Sequence, residues 1–140
     1  MAFLGSLDIV GSALSAERFR MDISLQNLAN ANNTSPTADG EPYRRQQVVF
    51  QERALTFDET LENISGGVQV ADVVKSDRDF KSVYDPNNPN ADENGYVLYP
   101  NVDTTEERLD LMSASTAYEA NLTALSVMKA MVNRTLEMSK

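Results

Sequence analysis

Apolar residues recur every seven positions at both ends of the chain: Leu7, Leu14, Met21 and Leu28 near the start, and Leu111, Tyr118, Leu125 and Val132 near the finish. A repeat of seven marks a helical seam, because it returns an apolar side chain to the same face every two turns. Val10 and Leu25 extend the first seam, while Ala114, Leu122, Met128 and Leu136 widen the second into a stripe. The spacing predicts one helix over 6–32 and another over 103–138. Ser6 can cap the first, Asp8 lies in its first turn, and Pro36 stands just past its end. In "DTTE", Asp103 is a natural N-cap with Glu106 three residues on, as in a capping box, and Glu107 adds first-turn charge. Such helices would measure about 40 and about 54 Å at 1.5 Å per residue, too long for the rest of the chain to cover.

Between them the periodicity changes. Residues 36–101 hold all five prolines and most of the glycines, with short β-type runs at 43–50, 67–74, 80–84 and 95–99. Turns are predicted at "ADGEP" and "DPNNPNADENG", and "FDETLENIS" (57–65) reads as a short helix or a loop. The fold class is therefore α+β: two long terminal helices forming a coiled-coil layer, with a small β-rich domain inserted between them. The corresponding divisions are 1–35, 36–101 and 102–140.

The chain of 140 residues carries 12 Lys plus Arg against 21 Asp plus Glu, a net charge of -9. That charge opposes binding to nucleic acid or to an anionic membrane. With no His and no Cys, the commonest zinc and copper ligands, the usual general base and the thiolate nucleophile are all missing. No run approaches the roughly 20 apolar residues that span a bilayer. The start lacks a basic n-region and carries Asp8 within its apolar stretch, so no cleavable signal peptide is expected. "NADENGY" imitates the opening of a calcium loop, but position 12 is Asn101 and a turn before a strand explains it better. Arg44 and Arg45 read as a solvated strand face or a contact for an acidic neighbour. The five N-x-S/T triplets are the chance yield of an Asn-rich chain. No nucleophile elbow, phosphate loop or perturbed carboxylate pair is present, so neither an enzyme nor a cofactor is expected.

The seams can be covered in two ways. An antiparallel hairpin would bury each against the other; alternatively, both pack against neighbouring chains, since two lone helices cannot cover the wide C-terminal stripe. The second reading is preferred, and it predicts termini that order only on docking. Asn27 and Asn30 sit inside the first periodic segment and Asn121 inside the second, where amide contacts between helices would fix register. Asn32 and Asn33 end the first helix.

"SALSAERFRMDISLQNLANANNTSP" resembles the N-terminal signature of bacterial flagellar rod and hook proteins, and the segment from "NVDTTEERLDLM" through "TAYEANL" resembles their shared C-terminal region. "DGEPYRRQQVVF", "GGVQVADVV" and "VYDPNNPNADENGYVLYPNV" are similar to the proximal rod protein family in particular. The resemblance implies a structural subunit of the periplasmic rod, the drive shaft of bacterial motility, exported through the flagellar type III apparatus. Its implied partners are copies of itself, other proximal and distal rod proteins, and the ring and export-gate adaptor proteins at the rod base. Asn27, Leu28, Asn30, Tyr118, Glu119 and Asn121 fall in the shared motifs that line the family's inner helical layer. Together with the seam residues they form the expected subunit interface. The alternative is a soluble adaptor or chaperone-like protein with an intramolecular hairpin.

Overall fold

The computed structural model describes residues 2–55 and 66–138, with side chains from Gly5 onward. The segment 57–65, expected as a short helix or loop, lies outside the described residues. The elements run α1 (Ala2–Asn30), β1 (Gln46–Glu52), β2 (Val68–Lys75), β3 (Lys81–Tyr84), β4 (Tyr96–Tyr99) and α2 (Thr104–Met138). This is the predicted α+β arrangement of two terminal helices with antiparallel sheet between them.

The first helix starts earlier than its apparent cap. Ala2, Phe3 and Leu4 tolerate helical backbone, so α1 runs through Ser6 and Asp8 instead of starting there. It stops at Asn30, where the Asn33 amide donates to the Asn30 carbonyl and the Asn33 side chain takes the Ser35 N–H. The second helix begins as expected: Asp103 Oδ1 accepts the N–H groups of Thr105 at 2.9 Å and Glu106 at 3.4 Å. Those two bonds hold the Asp103 carboxyl below its ordinary pKa. The capping box stays half made, because Glu106 turns to arginines instead of reaching back.

The helices pack antiparallel, since Asn27 near the end of α1 meets Glu107 near the start of α2, and Arg20 meets Asp110. Among the described residues, α1 is the only element packed on α2. Counted from the Asn27–Glu107 contact, α2 outruns the start of α1 by roughly six residues, nearly two turns. The β1–β2 hairpin lies along α1, pairing from Gln46↔Lys75 to Glu52↔Val68. A register shift beside Val49 and Phe50 makes Ala71 the extra residue of a bulge. At Gly67 the chain lies close on α1: the Ser12 hydroxyl accepts the Val68 N–H at 3.0 Å, and a Cβ on Gly67 would stand 2.5 Å from that hydroxyl. The β3–β4 hairpin pairs from Lys81↔Tyr99 to Tyr84↔Tyr96. Gly95 takes a φ of 80° at its turn, and Asp92 Oδ1 accepts the N–H groups of Asn94 and Tyr96. The calcium-like run is thus a hairpin turn closed by its own aspartate.

The deeply buried apolar side chains among the described residues are Val10, Ala16, Ala31, Val97, Val102 and Ala114, with Pro100 beside them. None is larger than valine. Among the described residues no helix is long and apolar enough to cross a membrane.

Candidate subunit interface

Instead of a large oily core, the centre of the molecule holds a polar knot. Asn27 is fully buried and uses its whole amide: Nδ2 donates to the Gln46 carbonyl at 2.8 Å and to Glu107 Oε2 at 2.9 Å, while Oδ1 accepts the Gln46 N–H at 3.0 Å and the Tyr43 hydroxyl at 2.8 Å. Towards Gln46 the side chain therefore acts as a neighbouring strand would, matching both backbone groups. This explains an asparagine late in a helix, where its propensity is poor.

Beside it Arg45, 2 % exposed, donates from Nε to Glu107 and reaches Glu106 at 3.2 Å and Asp110 at 3.0 Å. Arg20 shares Asp110 at 3.3 Å and Arg78 holds Glu106 at 2.7 Å. Three guanidinium groups thus face these three carboxylates, with Glu17 a fourth at 3.8 Å from Arg20, so most of the buried charge is paired. The Arg45 N–H donates to Asn101 Oδ1 at 2.7 Å, and Asn101 Nδ2 donates to the carbonyls of Ser76 and Arg78, binding the loop before β3 to the start of α2. Burial and the nearby Glu107 charge push the Tyr43 phenol up to about 12. Among the described residues no group of acidic side chains is arranged to hold a metal. The knot joins the end of α1, the strand entry and the start of α2; its chemistry is structural.

The outer surface is the reverse. Leu109, Met112, Val127 and Met131 are 48–63 % exposed on α2 and recur at helical spacing with Thr116 and Ala120 on the side away from α1. Leu109, Met112 and Ala120 help line a shallow open groove there. The helix is thus apolar on two opposite sides, one packed and one bare.

A family model described as the C-terminal region of flagellar basal body rod FlgEFG proteins matches residues 93–138. The chain is 47% identical to the flagellar basal-body rod protein FlgC of Salmonella typhimurium over the full length of both. It is 41% identical to that of Bacillus subtilis, again over both full lengths, and 38% identical to that of Borreliella burgdorferi over 97% of each. The chain belongs to the FlgC family. Membership makes it a structural component of the flagellar basal-body rod, and lends no support to the adaptor alternative.

Within this FlgC-family chain the motif residues divide. Leu7, Leu14, Met21 and Leu28 are half-buried and Val10 is buried; Leu111, Tyr118, Asn121, Leu125 and Val132 are half-buried on the side of α2 that carries buried Ala114. The heptad seams therefore meet one another within one chain, as the hairpin reading of the sequence has it. The reason is geometric: an antiparallel pair with matching repeats can interlock as soon as the intervening chain turns back. Leu25, Glu119, Leu122 and Leu136 remain exposed. Asn30 does not bridge helices in this chain; its Nδ2 donates to the Gln26 carbonyl one turn back and its Oδ1 accepts from Asn33. Asn121 makes no side-chain hydrogen bond among the described residues.

Of the two readings of the basic pair, contact with an acidic neighbour holds and the solvated strand face does not. Arg45 is buried in its own chain's carboxylates, and Arg44 lies 4.3 Å over the Phe80 ring while its Nε pairs with Glu41 at 3.0 Å. Sequence reading missed the Arg45–Glu107 pair and the outer stripe of α2. The asparagine at 27 was the one available signal for the first. For the second, reading positions 109, 112, 116, 120 and 127 as a stripe of their own would have found it.

Proposed function

We propose that this chain is a shaft subunit of the proximal rod, held in the helical lattice by the outer face of α2 packing against helices of neighbouring copies and of other rod proteins. The observation that carries this is the imbalance of the apolar side chains: fifteen large ones are exposed among the described residues, and no deeply buried one exceeds valine. A monomer rarely leaves such surface bare unless a partner covers it. A contact that repeats without closing builds a tube, and tubes made of lengthwise helices resist twisting across many seams at once. Export through the flagellar type III apparatus and assembly in the periplasm, beside the ring and export-gate adaptor proteins, follow from the family resemblance.

The double substitution Met112→Glu and Val127→Glu tests it. Both side chains are exposed, so the purified variant should keep wild-type helicity and melting temperature while swimming is lost and the chain is absent from isolated basal bodies. A variant that swims normally and is recovered in basal bodies at wild-type yield sinks the proposal.

A further inference from the structure

Resting on the shaft reading, we infer that Met112 and Met131 are redox-sensitive modification sites: a peroxide that turns their thioethers into sulfoxides before assembly keeps the chain out of the rod while leaving its own fold standing. With no Cys, Trp or His in the chain, methionine sulfur is its most easily oxidised group. Apart from Met1, the methionines fall into two sets. Met21 and Met128 are half-buried, whereas Met112, Met131 and Met138 are 63, 59 and 88 % exposed. Met138 stands at the end of the described helix. Met112 and Met131 lie on the bare side of α2, 19 positions and so about 28 Å apart. Met112 lines the shallow groove, and Met131 lines a second apolar patch with Val132, Thr135 and Leu136. The two sulfur atoms therefore mark both ends of the surface that packs in the lattice.

In the reaction a sulfur lone pair attacks one peroxide oxygen. The S–O bond forms as the O–O bond breaks, and the second oxygen takes the proton from the first and leaves as water. Sulfur loses two electrons and the peroxide gains them. The product replaces a flexible apolar side chain with a polar, chiral one. The helix has little to offer the new oxygen. The hydroxyl one turn on from each methionine already donates to that methionine's own carbonyl, Thr116 to Met112 and Thr135 to Met131, both at 2.9 Å. While the face is bare, water serves the sulfoxide and the single chain is untroubled. Against a neighbouring helix that water is expelled, and a polar oxygen left without a donor opposes the contact. A dithiol reverses the change under a sulfoxide reductase: the oxygen leaves as water while two thiols become a disulfide, and the block is lifted.

Purified full-length protein is treated with hydrogen peroxide and its peptides are weighed. Met112 and Met131 should be converted at least fivefold faster than Met21 and Met128, with helicity and melting temperature unchanged. Equal rates, or a chain that unfolds on conversion, overturn the inference. Basal bodies from unstressed cells receive the same treatment, and in them both residues should be protected at least fivefold relative to the free chain. Full reactivity there shows the outer face uncovered, and the shaft reading falls with the inference. Cells lacking the natural copy are then given the wild type or the double variant Met112→Leu and Met131→Leu, and a peroxide pulse is applied while isotope-labelled subunits are being made. Each strain is compared with its own untreated yield of labelled chain in basal bodies, and the wild type should drop at least fivefold more than the leucine variant. Equal drops overturn the redox inference and leave the shaft reading intact. So do wild-type basal bodies whose labelled chains carry both sulfoxides, whatever the variant does.

Discussion

Asn27 has every hydrogen-bonding position of its amide occupied by a different group, so removing it strands several partners at once. Asn27→Ala leaves the Gln46 N–H and carbonyl, the Tyr43 hydroxyl and one oxygen of Glu107 short of a bond in a buried place. At about 1–3 kcal/mol for each stranded buried group, a loss of about 3 kcal/mol or more is expected in urea unfolding. Asn30→Ala is the control: its contacts are local and exposed, and a change below about 0.5 kcal/mol is expected. Equal effects at the two positions would show that the knot does not carry the fold. Tyr43 gives the pH signature of the same cluster. Its folded pKa of about 12 lies above the ordinary 10.0, so the stability linked to it is fully present below pH 10 and is lost as pH rises through about 12. Tyrosinate absorbance of the wild type minus that of Tyr43→Phe should show a phenol titrating near pH 12, not near 10. Arg45 shows why sequence reading stops short here. An arginine in a strand-like run reads as solvent-facing, and only three carboxylates arriving from α2, more than 60 positions later, make its burial tolerable.

The long helices were legible because each carries its own evidence, a sustained heptad and, for α2, an aspartate that caps by its side chain. The bounds of β1 were less so: Tyr43–Arg45 have strand-like residues, but the side chains of Tyr43 and Arg45 are committed to the knot and that of Arg44 to Glu41 and Phe80, and the strand starts at Gln46. The outer stripe of α2 escaped because a search for one repeat settles on one side of a helix. Contact between elements turns on smaller features. At Gly67 a methyl group would sit 2.5 Å from the Ser12 hydroxyl and 3.1 Å from its Cβ, so the β1–β2 hairpin would have to lift from α1. Gly67→Ala should cost about 1–3 kcal/mol in a thermal or urea melt, with partial recovery on adding Ser12→Ala. No loss of stability would mean that the hairpin is not seated on the helix.

At the scale of the whole chain, a sparse core and bare apolar faces make stability depend on company. The free chain should be most open where α2 has no helix beside it. Limited trypsin digestion of purified protein is expected to cut first after Lys129 or Arg134, and the same bonds should be protected in intact basal bodies. Early cutting elsewhere in α2, or equal cutting in both states, would contradict this. The knot has one more consequence. It draws on residues 80 positions apart, Asn27 and Glu107, with Arg45 between them. A polypeptide that emerges from a narrow passage amino end first cannot lock until its last quarter begins to appear. In a chain delivered that way the leading three-quarters would lack the carboxylate that closes the knot, and the arrival of Glu107 would be the step at which it can set.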